Sequence, residues 1–120
     1  LIRQSKLRQL TKDHSLDQEM VDMEKISLEE ARTHMQRNII SQSIGLESVI
    51  DVDCGECQLE PGDILLACTD GLHDMITSDL EIAALIQAAG TLDAGASNLV
   101  QKALENGRME NITVVLVEIE

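Results

Sequence analysis

Three cysteines and three histidines are the side chains best suited by type to hold a soft metal or to exchange electrons. Cys54-Gly55-Glu56-Cys57 has the spacing shared by zinc knuckles and redox pairs. A zinc site takes four ligands, however, and the other candidates, Cys68, His14, His34 and His73, stand at no knuckle spacing from that pair. A small metal module and plain turn or strand cysteines both remain open, with the second favoured and the thiols expected to be reduced. Carboxylates offer a second chemistry. Asp17, Glu19, Asp22, Glu24, Glu29 and Glu30 are spaced so that they scatter around solvated faces, whereas Asp70-Gly71 directly follows an apolar run and Glu110-Asn111 directly precedes one. In isolation, Asp-Gly after a strand is an ordinary turn. Arg3, Lys6, Arg8 and Lys12 form an acid-free basic cluster, either an anion-attracting patch or, as favoured, a solvated strand face.

The balance of 22 acidic against 9 basic side chains gives a formal charge of −13, a field that repels phosphate backbones and anionic lipid headgroups. No nucleic acid and no membrane partner is expected. Aromatic residues are absent, so stacking on bases is excluded and any core must be built from Leu, Ile, Val, Ala and Met. A chain of 120 residues is the size of one folding unit. No stretch reaches the roughly 20 apolar residues of a membrane span, and Leu1 to Lys12 lacks the apolar run of a signal peptide, so a cytoplasmic location is expected. Because the first residue is Leu rather than Met, a fragment or processed product is expected as well.

The elements that must position these residues follow from pattern. Residues 1–10 read as a hairpin turning at Ser5-Lys6. Ser15-x-x-Gln18 and Ser27-x-x-Glu30 fit the capping box and predict helices over 15–24 and 27–35, the first with Leu16, Met20 and Met23 on one side. Ile50, Val52 and Cys54 alternate with Asp51, Asp53 and Gly55, predicting a half-buried strand over 50–58. Glu60-Pro61-Gly62-Asp63 turns the chain into Ile64–Cys68, a continuous apolar run that reads as a strand buried on both faces. Ser78-x-x-Glu81 opens a helix carrying Ile82, Leu85, Ile86 and Ala89, ended by Gly90. A second helix over 93–105 stops at Asn106-Gly107 and packs beside it. Ile112 to Ile119 is β-branched and apolar on both faces. The fold class is α+β, an antiparallel sheet packed with a helix pair.

The order of strand, Thr69-Asp70-Gly71-Leu72, two helices, Glu110-Asn111-Ile112-Thr113 and strand resembles the C-terminal half of the protein phosphatase 2C family of metal-dependent Ser/Thr protein phosphatases. In that family a buried strand ends in Ser/Thr-Asp-Gly and the last core strand opens with Asp-Asn-Ile/Val-Thr. Leu10-Thr11-Lys12-Asp13-His14-Ser15, Ala31-Arg32, His34-Met35-Gln36-Arg37-Asn38 and Leu59-Glu60-Pro61-Gly62-Asp63 are similar to the family's bacterial-type segments in the same order. The resemblance implies that 1–120 is the C-terminal part of a catalytic domain built as an α-β-β-α sandwich. It further implies hydrolysis of phosphoserine and phosphothreonine in phosphoprotein substrates, with Mn2+ or Mg2+ as cofactor.

Mg2+ and Mn2+ are hard ions that take oxygen ligands in near-octahedral geometry, and two of them can activate water for attack on a phosphomonoester. By the resemblance Asp70 is the catalytic metal ligand, Gly71 lets backbone approach it closely, and Glu110 stands at a second metal position. Asn111 either fixes that carboxylate or is a plain turn residue. Residues 13–45 resemble the family's flap segment beside the active site, with His34, Arg37 and Asn38 as substrate-access candidates or structural residues. Two departures bear on activity: Glu110 replaces the usual Asp, and Arg108 replaces what is often a glycine. The family's early acidic strand residue, its Asp-Gly-x-Gly-Gly-His segment and its phosphate-binding arginine have no counterpart in the chain. The chain alone is therefore expected to be inactive, and a non-catalytic, pseudophosphatase-like regulatory module is the alternative. An apolar sheet face that one helix pair leaves bare implies self-association.

Glutamate's extra methylene carries its carboxylate about 1.5 Å farther from the backbone. In a full-length protein, Glu110→Asp is therefore expected to preserve or raise the rate of phosphomonoester hydrolysis. Weaker Mn2+ binding by the Asp variant, measured by calorimetry, would contradict that reading.

Overall fold

The structure is a computed structural model that describes residues 1–33, 39–46, 48–107 and 111–120. It divides into two compact units: Leu1–Gln9 with Cys57–Glu120, and Leu10–Glu56.

The first unit is built on four antiparallel strands, β1 (Ile2–Arg3), β2 (Lys6–Leu7), β3 (Ile64–Cys68) and β4 (Val114–Glu118), in the order β2-β1-β3-β4. The hairpin β1–β2 forms as its sequence suggests. Its turn sits one residue earlier than expected, at Gln4-Ser5, whose φ values of 49° and 64° supply the left-handed pair that a tight hairpin needs. β3 and β4 pair in register over five residues, from Ile64 opposite Glu118 to Cys68 opposite Val114. Pro61 and Gly62 make the turn into β3, Gly62 at φ 87° and the Asp63 amide donating to the Glu60 carbonyl over 3.0 Å.

One face of this sheet is covered. Ile64, Leu66, Val114 and Leu116 pack on a buried cluster of Ile2, Leu72, Ile76, Ile82, Ala83, Ile86, Leu99 and Ala103. That cluster is carried largely by α3 (Asp70–His73), α4 (Asp79–Gln87) and α5 (Leu92–Glu105). Ser78 and Thr91 cap α4 and α5, each hydroxyl accepting from the amide three residues on. Among the described residues the opposite face is partly exposed, so the expectation of strands buried on both faces is corrected. Leu65 pairs with Val117 and Ala67 with Val115 on that side, and Val115 and Val117 are 53% and 48% exposed. The helix pair has only one side on which to lie, and period-two geometry sends every second residue to the other.

The second unit holds α1 (Leu16–Asp22), shorter than its sequence signal, and α2 (Leu28–Thr33); His34 and Met35 lie outside the described residues. At α2 the capping box is reciprocal, the Glu30 amide donating to Ser27 Oγ and the Ser27 amide donating to Glu30 Oε2. These bonds from Ser27 hold the Glu30 carboxyl below its ordinary range. At α1 only half the box forms: Ser15 accepts from the Gln18 amide, while the Gln18 side chain bonds Asp22 instead. The apolar side expected for α1 is thin, since Met23 is exposed and the one buried residue is Asp17.

The strand expected over 50–58 does not form. Those residues belong to no strand or helix and are exposed. Alternation makes a strand only when a neighbour takes up its amides and a core takes up its apolar side. Here the Asp51 amide and carbonyl are taken by the Gln42 side chain, and Val52 stays in solvent. Among the described residues no helix is long and apolar enough to cross a membrane.

Arg3 ties the hairpin to the start of β3. Its guanidinium donates to both carboxylate oxygens of Asp63, at 2.7 and 2.6 Å, to Glu60 Oε1 at 2.7 Å and to the Gln58 carbonyl at 2.9 Å. Asp63 is almost wholly buried, and the hydrogen bonds from Arg3 lead the causes that lower its pKa from 3.8 to about 2. A carboxyl whose folded pKa is depressed stabilises the fold fully above its unfolded pKa, and that contribution is lost as pH falls from 3.8 towards about 2. Arg3→Ala should lower Tm at neutral pH by about 5 °C or more. It should also flatten the dependence of Tm on pH in that acid window. Thermal melts across it that match the wild-type slope would show that Arg3 contributes nothing there.

Candidate metal-ligand site at the end of the third strand

Asp70 is the first residue of α3 and immediately follows the end of the β3–β4 ladder, with its side chain exposed. The chain makes one helical turn at this point. Leu72 and Ile76, both fully buried, anchor that turn from behind. The Asp74 amide closes it on the Asp70 carbonyl at 2.8 Å, and Asn106 at the end of α5 donates to the Met75 carbonyl, also at 2.8 Å. The carboxylate therefore stands in solvent on a backbone fixed from below.

Gly71 is buried against the strand entry. A Cβ built there would lie 2.7 Å from the Asn111 carbonyl oxygen and 3.2 Å from Ile112 Cγ1, so only glycine lets the Asp70 turn rest on that backbone. Thr69 spans the same gap. Its amide donates to the Thr113 carbonyl at 3.1 Å, its hydroxyl accepts from the Thr113 amide at 3.1 Å, and the hydroxyl faces the Asn111 carbonyl at 3.3 Å. Asn111 is exposed, and it enters this arrangement through its carbonyl. In the sequence Thr69 falls in the Ser/Thr-Asp-Gly motif, which assigns its hydroxyl no role. The one available signal was a β-capable hydroxyl residue directly ahead of Asp-Gly.

Glu110, His34, Arg37 and Asn38 lie outside the described residues. Among the described residues no group of three or more His, Cys, Asp or Glu could hold a metal ion, and Cys54, Cys57 and Cys68 are exposed thiols outside any disulfide. As a donor, Asp70 suits a hard divalent cation: an exposed carboxylate on rigid backbone. It can fill one ligand position and leaves the others to be supplied elsewhere.

In the second unit, His14, Gln42, Asp51 and Asp53 form a network of their own. His14 Nε2 meets Asp53 Oδ2 at 2.7 Å, and the Gln42 amide nitrogen reaches His14 Nδ1 at 2.7 Å. Gln42 is oriented by its two bonds to the Asp51 backbone, so its nitrogen is the donor and His14 Nδ1 the acceptor. Lys12 pairs with Asp22, and the hydrogen bond between them raises the lysine pKa and lowers that of the carboxyl.

The fold is similar to that of about half of each bacterial serine/threonine phosphatase chain on which it superposes. The Streptococcus agalactiae serine/threonine phosphatase superposes with a TM-score of 0.90 at 42% identity, covering 98% of this chain and 48% of that one. Stp1 from Staphylococcus aureus superposes at 0.93 with 36% identity, over 100% of this chain and 47% of that one. The protein phosphatase PhpP of Streptococcus pneumoniae is 43% identical over 117 residues, 98% of this chain and 47% of its own length. The chain belongs to the family described as Stage II sporulation protein E (SpoIIE), which matches residues 24–120. It spans about half the length of the curated relatives it matches.

Proposed function

We propose that this chain is the C-terminal part of the catalytic domain of a cytoplasmic, metal-dependent protein serine/threonine phosphatase, and that Asp70 is one of its ligands for Mn2+ or Mg2+. The observation that carries the reading is the Asp70 carboxylate itself, exposed at the end of β3 and held on a backbone pinned by Leu72, Ile76 and the Thr69–Thr113 contacts. When bound, such ions supply positive charge that activates water and neutralises the oxygens of a phosphoserine or phosphothreonine ester. Asp70's part is to hold one ion at a fixed place. Gly71 keeps the turn against Asn111, and Glu110, next in sequence to Asn111, is the second candidate ligand. His34, Arg37 and Asn38 are candidates for contact with a phosphoprotein substrate.

The 120-residue chain alone is expected to release no p-nitrophenol from p-nitrophenyl phosphate in the presence of Mn2+, whereas a chain completed to its relatives' length is expected to turn over. In the completed chain, Asp70→Asn should cut the rate by about a hundredfold or more, a loss of the size produced by removing a group that stabilises developing charge. Unchanged turnover in that variant would exclude Asp70 from the chemistry. A completed chain that binds phosphoprotein without hydrolysing it would favour the pseudophosphatase-like regulatory module.

The partly exposed face of Leu65, Ala67, Val115 and Val117 supports self-association of the isolated chain through that face. Sedimentation over a dilution series should show concentration-dependent assembly that Val117→Lys abolishes. A wild-type monomer persisting at high concentration would refute it.

A further inference from the structure

At the end of the β3–β4 ladder the chain must satisfy two demands that conflict. Beyond the pair Cys68–Val114, the next residues in register are Thr69 and Thr113. An antiparallel ladder continued by one step would have each of them donate to the other's carbonyl. The Thr69 amide does donate to the Thr113 carbonyl, at 3.1 Å. The Thr69 carbonyl, however, accepts from the Leu72 amide at 3.1 Å, because the chain is already winding into α3. The Thr113 amide is left without its ladder acceptor, and the Thr69 hydroxyl takes that place at 3.1 Å. With its own hydrogen the hydroxyl reaches the Asn111 carbonyl, at 3.3 Å. Thr69 occupies the N-cap position of α3, where a threonine hydroxyl ordinarily accepts an amide of the helix it precedes, and it makes no such bond.

We propose that Thr69 is a positioning residue: its hydroxyl substitutes for a backbone carbonyl in the ladder and so locks the Asn111–Thr113 strand entry to the turn that presents Asp70. Without that substitution, either the ladder ends one residue sooner or α3 starts one residue later. In both cases the separation between Asp70 and the segment leading into β4 is no longer fixed. Gly71 completes the lock from the other side, since its missing Cβ is what allows the Asn111 carbonyl to approach. The role is indirect, because Thr69 acts through the backbone of Asn111 and Thr113 and touches no reacting atom. It rests on the reading of Asp70 as a metal ligand. Supporting groups of this kind set ligand geometry, and their removal costs about 10- to 100-fold in metal affinity.

Mn2+ affinity of the full-length protein carrying this chain, measured by calorimetry and by electron paramagnetic resonance of free Mn2+, tests the proposal. Thr69→Val keeps the shape and loses the hydroxyl; Thr69→Ser keeps the hydroxyl. The expected result is Mn2+ binding weakened by about tenfold or more in Thr69→Val. Thr69→Ser should retain wild-type affinity, and hydrogen exchange at the Thr113 amide should quicken only in the Val variant. Should Thr69→Val fail to fold, Thr69→Ala is read in its place. Wild-type Mn2+ affinity in the hydroxyl-free variant, alongside loss of binding in Asp70→Asn, would overturn the positioning role and leave the metal reading standing. Wild-type binding in Asp70→Asn would instead overturn the metal reading, and the role of Thr69 with it.

Discussion

The pairing of β3 with β4 is the constraint on which the rest of this molecule depends. Five matched residue pairs hold strands that are more than forty residues apart in sequence, and whatever follows β3 is thereby set beside whatever precedes β4. Asp70 lies at the exit of one strand and Asn111 near the entry of the other. The helices contribute by backing only one side of that ladder. Leu99 and Ala103 of α5 and Ile82 and Ile86 of α4 are buried against it, and Leu72 and Ile76 carry the same core under the Asp70 turn. The carboxylate is exposed, yet Gly71 and Leu72, the next two residues, are buried.

The first unit was largely legible in the sequence. Ile64–Cys68 and the helices from Ser78 and from residue 93 stand where the apolar run and the helical stripes place them, because each signal coincides with a real partner surface. The α+β class and the antiparallel sheet followed from those elements. Residues 50–58 show the limit of periodicity: the alternation is genuine, but with no neighbouring strand among the described residues to receive its amides it remains a connection. Burial on both faces was misread for a related reason. A continuous apolar run reports that both sides are hydrophobic and says nothing about whether anything lies on the second.

The candidate site was legible in its residue types and not in its support. Asp70-Gly71 can be picked out as a carboxylate and a close-approach glycine. That Thr69 would give its carbonyl to α3 and its hydroxyl to Thr113 depends on a strand ending and a helix beginning at the same residue, which no local pattern encodes. The same holds for Arg3 and Asp63, a cation in a basic cluster and a turn acid. Their partnership spans 60 positions, so neither carries a mark of the other in its own neighbourhood.

The discontinuity of the first unit shapes the order in which the molecule can assemble. Ile2 pairs with Ile64, and Arg3 closes on Asp63, so the contacts that join the hairpin to β3 form only after residues beyond the whole second unit have been made. Residues 10–56 are continuous and need no such wait. Non-local pairings of this kind bear the entropy of closing the intervening loop before any contact repays it. During synthesis the contacts within residues 10–56 can therefore form before the hairpin meets β3. The β1–β3 pairing waits for β3 to emerge, and the β3–β4 pairing waits longer still, for Val114–Glu118.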